Sequence, residues 1–304
     1  MCLRCCRLLP LLFVLLLAGS CAQTVATSPP QKASAFDRVE VRGGELEYRT
    51  TGRGEPVLLI HGSIFADVFS PMLNDPVFRG YRLITYNRRG FAGSSRVQAP
   101  FTIEQQAIDA IAVLDRLQVG RAHIVGASYG GAIALELARR YPHRVRTLTL
   151  MEAAVPALGT VDPQMMQEVT AAYGLYQQGD ARGAVIRFVN LVVPGGWEAI
   201  STAGATAMQE QAVADAATFF EVELPALQLW KFSAQDAAQL TVPTLVMVGG
   251  ESTTAQRATH KALLEAIPDA EEVVIFGAGH ELQMKQPHAV AEGISTFLRK
   301  YRTP

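Results

Sequence analysis

Three kinds of side chain in this sequence could together transfer an acyl group. They are a serine in Gly126-Ala127-Ser128-Tyr129-Gly130, a histidine closing Gly277-Ala278-Gly279-His280, and a carboxylate, Glu152 or Glu251. A serine hydroxyl is barely nucleophilic near neutral pH, so it needs an imidazole within hydrogen-bond reach to take its proton. The imidazole in turn needs an acid that holds its tautomer and balances its charge. The tetrahedral oxygen that follows attack needs backbone N–H groups aimed at it.

The elements around Ser128 suit the first requirement. A short apolar run from Ala122 gives way at Ser128 to an Ala/Leu-rich run ending at Arg139-Arg140, which predicts a strand turning abruptly into a helix. The serine would then occupy a strained turn with its hydroxyl exposed, and Gly126 and Gly130 would let the two backbones pass without a Cβ between them. Of the six histidines, His280 follows a late strand in a glycine-rich loop, whereas His123 lies in the strand before Ser128 and His143 at a helix end. His260 and His288 fall on amphipathic helices, and these four read as scaffold or surface. His61, at the end of the apolar run Val57–Ile60, reads as a buried histidine bonding local backbone.

The chain between these points alternates strand and helix. Arg38 to Arg42 and Glu45 to Thr50 flank Gly43-Gly44, a hairpin signal. Val57–Ile60 is continuously apolar, as expected of a strand covered on both faces in a parallel sheet. Further strands are predicted at Tyr81–Tyr86, Val145–Leu150, Val242–Val248 and Glu272–Phe276. Thr102-Ile103-Glu104-Gln105 has the form of a capping box, with Ile103, Ala107, Ile111 and Leu114 on one helical face. Between residues 153 and 240 the alternation stops and the pattern is mostly helical, with Tyr173, Tyr176, Phe188, Trp197, Phe219, Phe220, Trp230 and Phe232 available for packing or for an apolar substrate pocket.

These features resemble the α/β-hydrolase superfamily from Phe36 to the C-terminus. Gly126–Gly130 resembles its nucleophile elbow in the required strand-to-helix setting, and Gly277–His280 resembles its catalytic-histidine loop. His61-Gly62-Ser63-Ile64 resembles its oxyanion loop. The resemblance implies a mostly parallel sheet flanked by helices and an oxyanion hole built from the N–H groups of Tyr129 and Ser63, with Ile64 as the fallback for the second. It also implies a core of residues 36–152 and 241–304, with residues 153–240 as a helical lid. Asn87-Arg88-Arg89-Gly90-Phe91-Ala92-Gly93-Ser94 resembles a structural turn of the superfamily, but Asn87 stands where an aspartate is usual and Ala92 where a glycine is. Arg88 and Arg89 are either readers of a substrate carboxylate or are solvated or pinned to backbone carbonyls. The usual position of the acid, in the loop after the strand 242–248, is Ser252, which cannot carry the charge. Glu251 is the local substitute, although adjacent residues leaving a strand point to opposite sides. Glu152, ending the strand after the elbow in a Met-Glu like that of some relatives, is preferred.

The resemblance implies acyl transfer, with carboxylic-ester hydrolysis as first choice. Amide, thioester or carbon–carbon cleavage or peracid formation on the same residues is the alternative, and a non-catalytic binding protein of the same fold is a further one. Relatives that open epoxides or remove halide place aspartate where this chain has Ser128. No metal-ligand spacing, dinucleotide fingerprint or phosphate loop implies a cofactor, so the expected partner is a small-molecule substrate alone.

Length and composition agree with this scheme. The 304 residues, 49% hydrophobic and 18% charged, accommodate one large α/β core with an insertion. A net charge of −1 without a basic block argues against nucleic acid. Arg4 and Arg7 precede an apolar run from Leu8 to Ala18, too short to span a bilayer, so residues 1–22 read as a bacterial-type export signal and residues 23–35 as a flexible tether. Leu17-Ala18-Gly19-Ser20-Cys21 resembles a lipobox that would leave a lipidated Cys21 and a membrane anchor, while Ser20-Cys21-Ala22 fits ordinary cleavage before Gln23. All four cysteines lie in this segment, so the mature chain would be a periplasmic or secreted protein without disulfides.

Overall fold

The computed structural model describes residues 36–97, 100–159, 163–200 and 205–302. The export signal and tether expected in residues 1–35 lie outside them. Eight strands form one sheet: β1 (Asp37–Val41), β2 (Gly44–Gly52), β3 (Glu55–Ile60), β4 (Tyr81–Tyr86), β5 (Ala122–Ala127), β6 (Val145–Met151), β7 (Thr244–Gly249) and β8 (Glu271–Ile275). Their order is β1-β2-β4-β3-β5-β6-β7-β8. β1 and β2 pair antiparallel through a two-residue turn at Arg42-Gly43, one position earlier than the Gly43-Gly44 expected, and every pairing from β4 to β8 is parallel. The continuously apolar runs are the covered strands: all six residues of β5 and of β7 are buried, as are Val57–Ile60 of β3.

On the helical side, α1 (Ile103–Arg116) opens on the capping box between Thr102 and Gln105 and buries Ile103, Ala107, Ala110 and Leu114. Ile111, placed on the same face by spacing, is only partly covered. α2 (Tyr129–Arg140) follows β5 directly and buries nearly its whole length, which its small and aliphatic residues permit. After β6 come α3 (Pro163–Gln177), α4 (Ala181–Val192), α5 (Gly196–Ala199), α6 (Ala205–Ala214), a π-helix at Thr218–Glu223, α7 (Leu224–Leu229) and α8 (Ala234–Ala238). The α/β alternation then resumes with β7, α9 (Thr254–Ala266), β8, α10 (Leu282–Lys285) and α11 (Pro287–Arg299). No described helix is long and apolar enough to cross a membrane.

The strand order reverses between β3 and β5, because β4 lies on one side of β3 and β5 on the other. Loops leaving the carboxyl ends of those strands diverge there and open a crevice, the place where open α/β sheets bind ligands. Ser128 leaves β5 into that crevice.

Candidate active site

The turn at Ser128 carries the strain expected of it. Ser128 has φ 51° and ψ −118°, a conformation that costs a non-glycine residue on the order of 1–3 kcal/mol. Close packing over-determines it. A Cβ on Gly126 would sit 2.4 Å from the Gly130 carbonyl oxygen, and one on Gly130 would sit 2.1 Å from the Ile60 oxygen. Ser128 N–H donates to Met151 O at 2.9 Å, and Ser128 O accepts from Ala154 N–H at 2.9 Å, so β6 holds the turn on one side as β3 does on the other. Two further non-glycine residues with positive φ, Ile64 (70°) and Glu152 (45°), are beside it in the same crevice.

His280, in the loop after β8, places Nε2 3.1 Å from Ser128 Oγ and Nδ1 2.7 Å from Glu152 Oε2. The Glu152 side chain is 1% exposed and that of His280 18%. Burial pushes the Glu152 carboxyl up, but the hydrogen bond and charge of His280, the Ser252 hydroxyl and the Gly249 N–H together hold it below its ordinary value. Oε1 accepts from Gly249 N–H at 2.8 Å and from Ser252 Oγ, leaving Oε2 for the imidazole. Ser252, at the position where an acid is usual, therefore supports the carboxylate that comes from β6. Glu251 is half exposed, 4.0 Å from Lys285 Nζ, and makes no bond to His280. Such an arrangement can deprotonate Ser128 through an Nε2 whose lone pair is kept available by an Nδ1–H···carboxylate bond.

The loop after β3 brings Gly62, Ser63 and Ile64 over Ser128; a Cβ on Gly62 would lie 3.0 Å from Ser128 Cβ. The Tyr129 N–H is the first of α2, one of the donors a helix start leaves without an intrahelical acceptor. Neither it nor the Ser63 N–H donates to a protein acceptor among the described residues. His61 is buried as expected: Nδ1–H donates to Gly62 O at 2.8 Å and Nε2 accepts the Arg88 N–H at 3.0 Å. Burial and the Arg88 charge hold it well below its ordinary value, so the ring is neutral.

A cavity of about 60 Å3 adjoins Ser128 and His280. Its apolar wall comes from Phe65 and Val68 on one side and from Phe188, Val189, Val192 and Val193, in or just after α4, on the other. Of the aromatic residues between β6 and β7, Phe188 reaches this wall; Trp197 packs on Phe65 at 6.0 Å, and Trp230 stacks on Phe232 and donates Nε1–H to Glu136. A wider depression of about 700 Å3, bordered by Tyr173, Tyr176 and Glu221, is open to solvent and touches none of the Ser128, His280 and Glu152 group.

A family model described as alpha/beta hydrolase fold matches residues 55–287. The chain belongs to the α/β-hydrolase family. Within the family it is similar to the 2-hydroxymuconate semialdehyde hydrolase of a Pseudomonas strain, at 34% identity over 130 residues, 41% of this chain and 46% of that protein. It is also similar to the 2-hydroxy-6-oxo-2,4-heptadienoate hydrolase of Pseudomonas putida, at 35% identity over 121 residues, 38% and 44% of the two chains. These matches span less than half the length of the curated relatives. Among solved structures, a thermophilic esterase from Thermogutta terrifontis superposes with a TM-score of 0.76 at 23% identity, covering 89% of this chain and 100% of that one, a likeness of fold.

The α/β-hydrolase turn after β4 departs from the family pattern in two places; the structure explains Asn87, while Ala92 keeps a backbone conformation that favours the usual glycine and has no structural explanation. Asn87 Nδ2 donates to Glu47 Oε2 at 3.0 Å, where an aspartate would face another carboxylate. Ala92 holds a left-handed φ of 47°, and its N–H donates to Asp215 Oδ2 at 2.9 Å. Arg88 and Arg89 are buried and bonded within the protein: Arg89 pairs with Asp109 and donates to Arg42 O, while Arg88 bonds the carbonyls of His61 and Gly62. Both are internal struts of the fold. Among the described residues no group of three or more His, Cys, Asp and Glu side chains is placed to hold a metal ion.

Proposed function

We propose that this chain is a serine hydrolase that cleaves small carboxylic esters by acyl transfer. The observation that carries the reading is the unbroken relay from Ser128 Oγ through His280 to Glu152, with spacings of 3.1 and 2.7 Å. As Ser128 Oγ attacks the ester carbonyl carbon, His280 Nε2 takes its proton, and Glu152 stabilises the imidazolium without taking the proton itself. The tetrahedral oxyanion accepts from the Ser63 and Tyr129 N–H groups. Collapse expels the alcohol, protonated by His280, and leaves an acyl-serine. His280 then deprotonates water, which releases the acid and restores the serine.

The cavity volume supports a small acyl group. About 60 Å3 equals roughly the liquid share of two water molecules at about 30 Å3 each, room for little more than an acetyl group. Against p-nitrophenyl esters of increasing length, kcat/KM should be highest at two to three acyl carbons and fall beyond. Equal turnover of acetate and octanoate esters would overturn the small-acyl assignment. Similarity to a 2-hydroxymuconate semialdehyde hydrolase makes that compound the second substrate to assay. The basic and apolar leader supports export of this activity, either anchored through lipidated Cys21 or released after cleavage before Gln23.

A further inference from the structure

Arg88 is an interior cation: its side chain is 1% exposed, and Nε, Nη1 and Nη2 each donate to protein acceptors. Nε donates to His61 O at 3.0 Å, Nη2 to Gly62 O at 2.7 Å and Nη1 to Gln106 Oε1 at 2.7 Å and to the carboxylate of Glu223. The guanidinium also lies over two rings, 4.7 Å from the centroid of Phe91 and 4.9 Å from that of Tyr129. Gln106 closes the circuit by donating Nε2–H to Tyr129 Oη at 3.0 Å. One cation therefore touches both chain segments whose N–H groups serve as oxyanion donors in the proposed mechanism.

The direction of these bonds matters more than their number. In a trans peptide the C=O and N–H of one unit point in opposite directions. The carbonyl of the Gly62–Ser63 unit is drawn toward Arg88, which does not line the Ser128 cavity, so the Ser63 N–H of the same unit points away from Arg88, toward the cavity that Gly62 and Ser63 do line. Glycine tolerates either orientation of this peptide, since Gly62 has no Cβ to resist a flip. Two donors on the Gly62 carbonyl, Arg88 Nη2 and the His61 Nδ1–H that Arg88 N–H holds in register through Nε2, select the productive one.

Glu223 supplies the counter-charge from outside the core. It belongs to the π-helix Thr218–Glu223 in the segment between β6 and β7, is 1% exposed, and has its second carboxylate oxygen buried without a hydrogen-bond partner. π-Helical turns cluster at functional sites. The same π-helix fastens to the loop bearing Arg88 through Thr218 Oγ1, which donates to Gly90 O at 2.8 Å. We propose that Arg88, held by Glu223, is the positioning residue of the oxyanion hole, orienting the Gly62–Ser63 peptide and the Tyr129 helix start and so coupling the helical insertion to catalytic competence.

This inference rests on the serine-hydrolase reading, and its test separates the two. Arg88→Met removes the fork, Arg88→Lys leaves a single point donor, and Glu223→Gln keeps an acceptor while removing the counter-charge. Loss of one oxyanion donor lowers kcat by about 10²–10³-fold, and that loss is expected for Arg88→Met with KM within about threefold of wild type. Glu223→Gln should fall between, and Arg88→Lys should recover part of the loss. A trifluoromethyl ketone, which forms the tetrahedral adduct on Ser128, should lose affinity in parallel with kcat/KM, while a carboxylic-acid product inhibitor should bind as before. A merely structural role would weaken both inhibitors or lower the melting temperature without this split. If Arg88→Met does not fold, the same split is read from Glu223→Gln. Variants that fold and keep wild-type kcat and ketone affinity overturn the proposal. If instead wild type is indifferent to the ketone and Ser128→Ala keeps full turnover, the serine-hydrolase reading has failed and the positioning role fails with it.

Discussion

Replacing Glu152 by glutamine keeps the side-chain volume and removes the charge beneath His280. In wild type Oε1 is committed to Gly249 N–H and Ser252 Oγ, so Oε2 alone meets His280 Nδ1 at 2.7 Å. Glutamine can retain the two Oε1 bonds, which turns its NH2 group toward Nδ1. Two donors then face each other unless the imidazole moves its proton to Nε2, and that tautomer cannot accept the proton of Ser128. The equivalent Asp-to-Asn change in a serine-protease triad lowers kcat by about 10⁴-fold, about 5.4 kcal/mol at 1.36 kcal/mol per tenfold. The same order of loss is expected here in kcat for p-nitrophenyl acetate, with KM little changed. Glu251→Gln is the control: its side chain is half exposed and 4.0 Å from Lys285 Nζ, so activity should stay within about twofold of wild type. A crippled Glu251→Gln beside an active Glu152→Gln would refute the reasoning.

Other consequences follow from burial and packing. Because the Glu152 carboxyl sits below its ordinary value of 4.5, its ionised form contributes stability that is complete above pH 4.5 and is lost as pH falls through the lower folded value. The melting-temperature difference between wild type and Glu152→Gln should therefore shrink on acidification below 4.5; a gap unchanged from pH 7 to pH 3 would contradict this. Gly130→Ala drives a Cβ to 2.1 Å from the Ile60 carbonyl and should cost about 3 kcal/mol, roughly 6–12 °C in melting temperature, whereas Gly120→Ala, with open space around it, should be nearly neutral. The export proposed from the leader is tested by an intact mass of the protein made in a bacterial host: it should show either an acylated chain beginning at Cys21 or an unmodified one beginning at Gln23, and a chain still carrying Met1 would contradict export processing.

Much of the scaffold was legible because its signals are local. The strand-to-helix switch at Ser128, the capping box at Thr102 and the apolar runs of β3, β5 and β7 depend on residues within a few positions of one another. What was not legible depends on direction or on distant segments. Residue direction and the Met-Glu favour Glu152 over Glu251 in the sequence, but both leave strands near the histidine loop, and the backbone path is what turns one carboxylate inward and the other to solvent. Ser252 looked like the loss of an acid; its hydroxyl on Glu152 is visible only once β6 and β7 are neighbours. For Arg88 the sequence favours a solvated side chain or one pinned to backbone carbonyls over a reader of substrate, and the carbonyls of His61 and Gly62 do hold it, but its other ligands, Gln106 and Glu223, the latter 135 positions away, have no local signal. The composition of the helical segment likewise said nothing of which residues border the cavity, since amphipathic spacing finds a buried face without naming what that face covers.

The central claim is that Ser128 is the nucleophile of a hydrolase. Intact-mass and peptide analysis after incubation with a fluorophosphonate probe tests it most directly. The account predicts a single adduct on Ser128 in wild type, none in Ser128→Ala, and strongly slowed labelling in Glu152→Gln. Equal labelling of wild type and Ser128→Ala, or an adduct on another residue with turnover intact in Ser128→Ala, would contradict it.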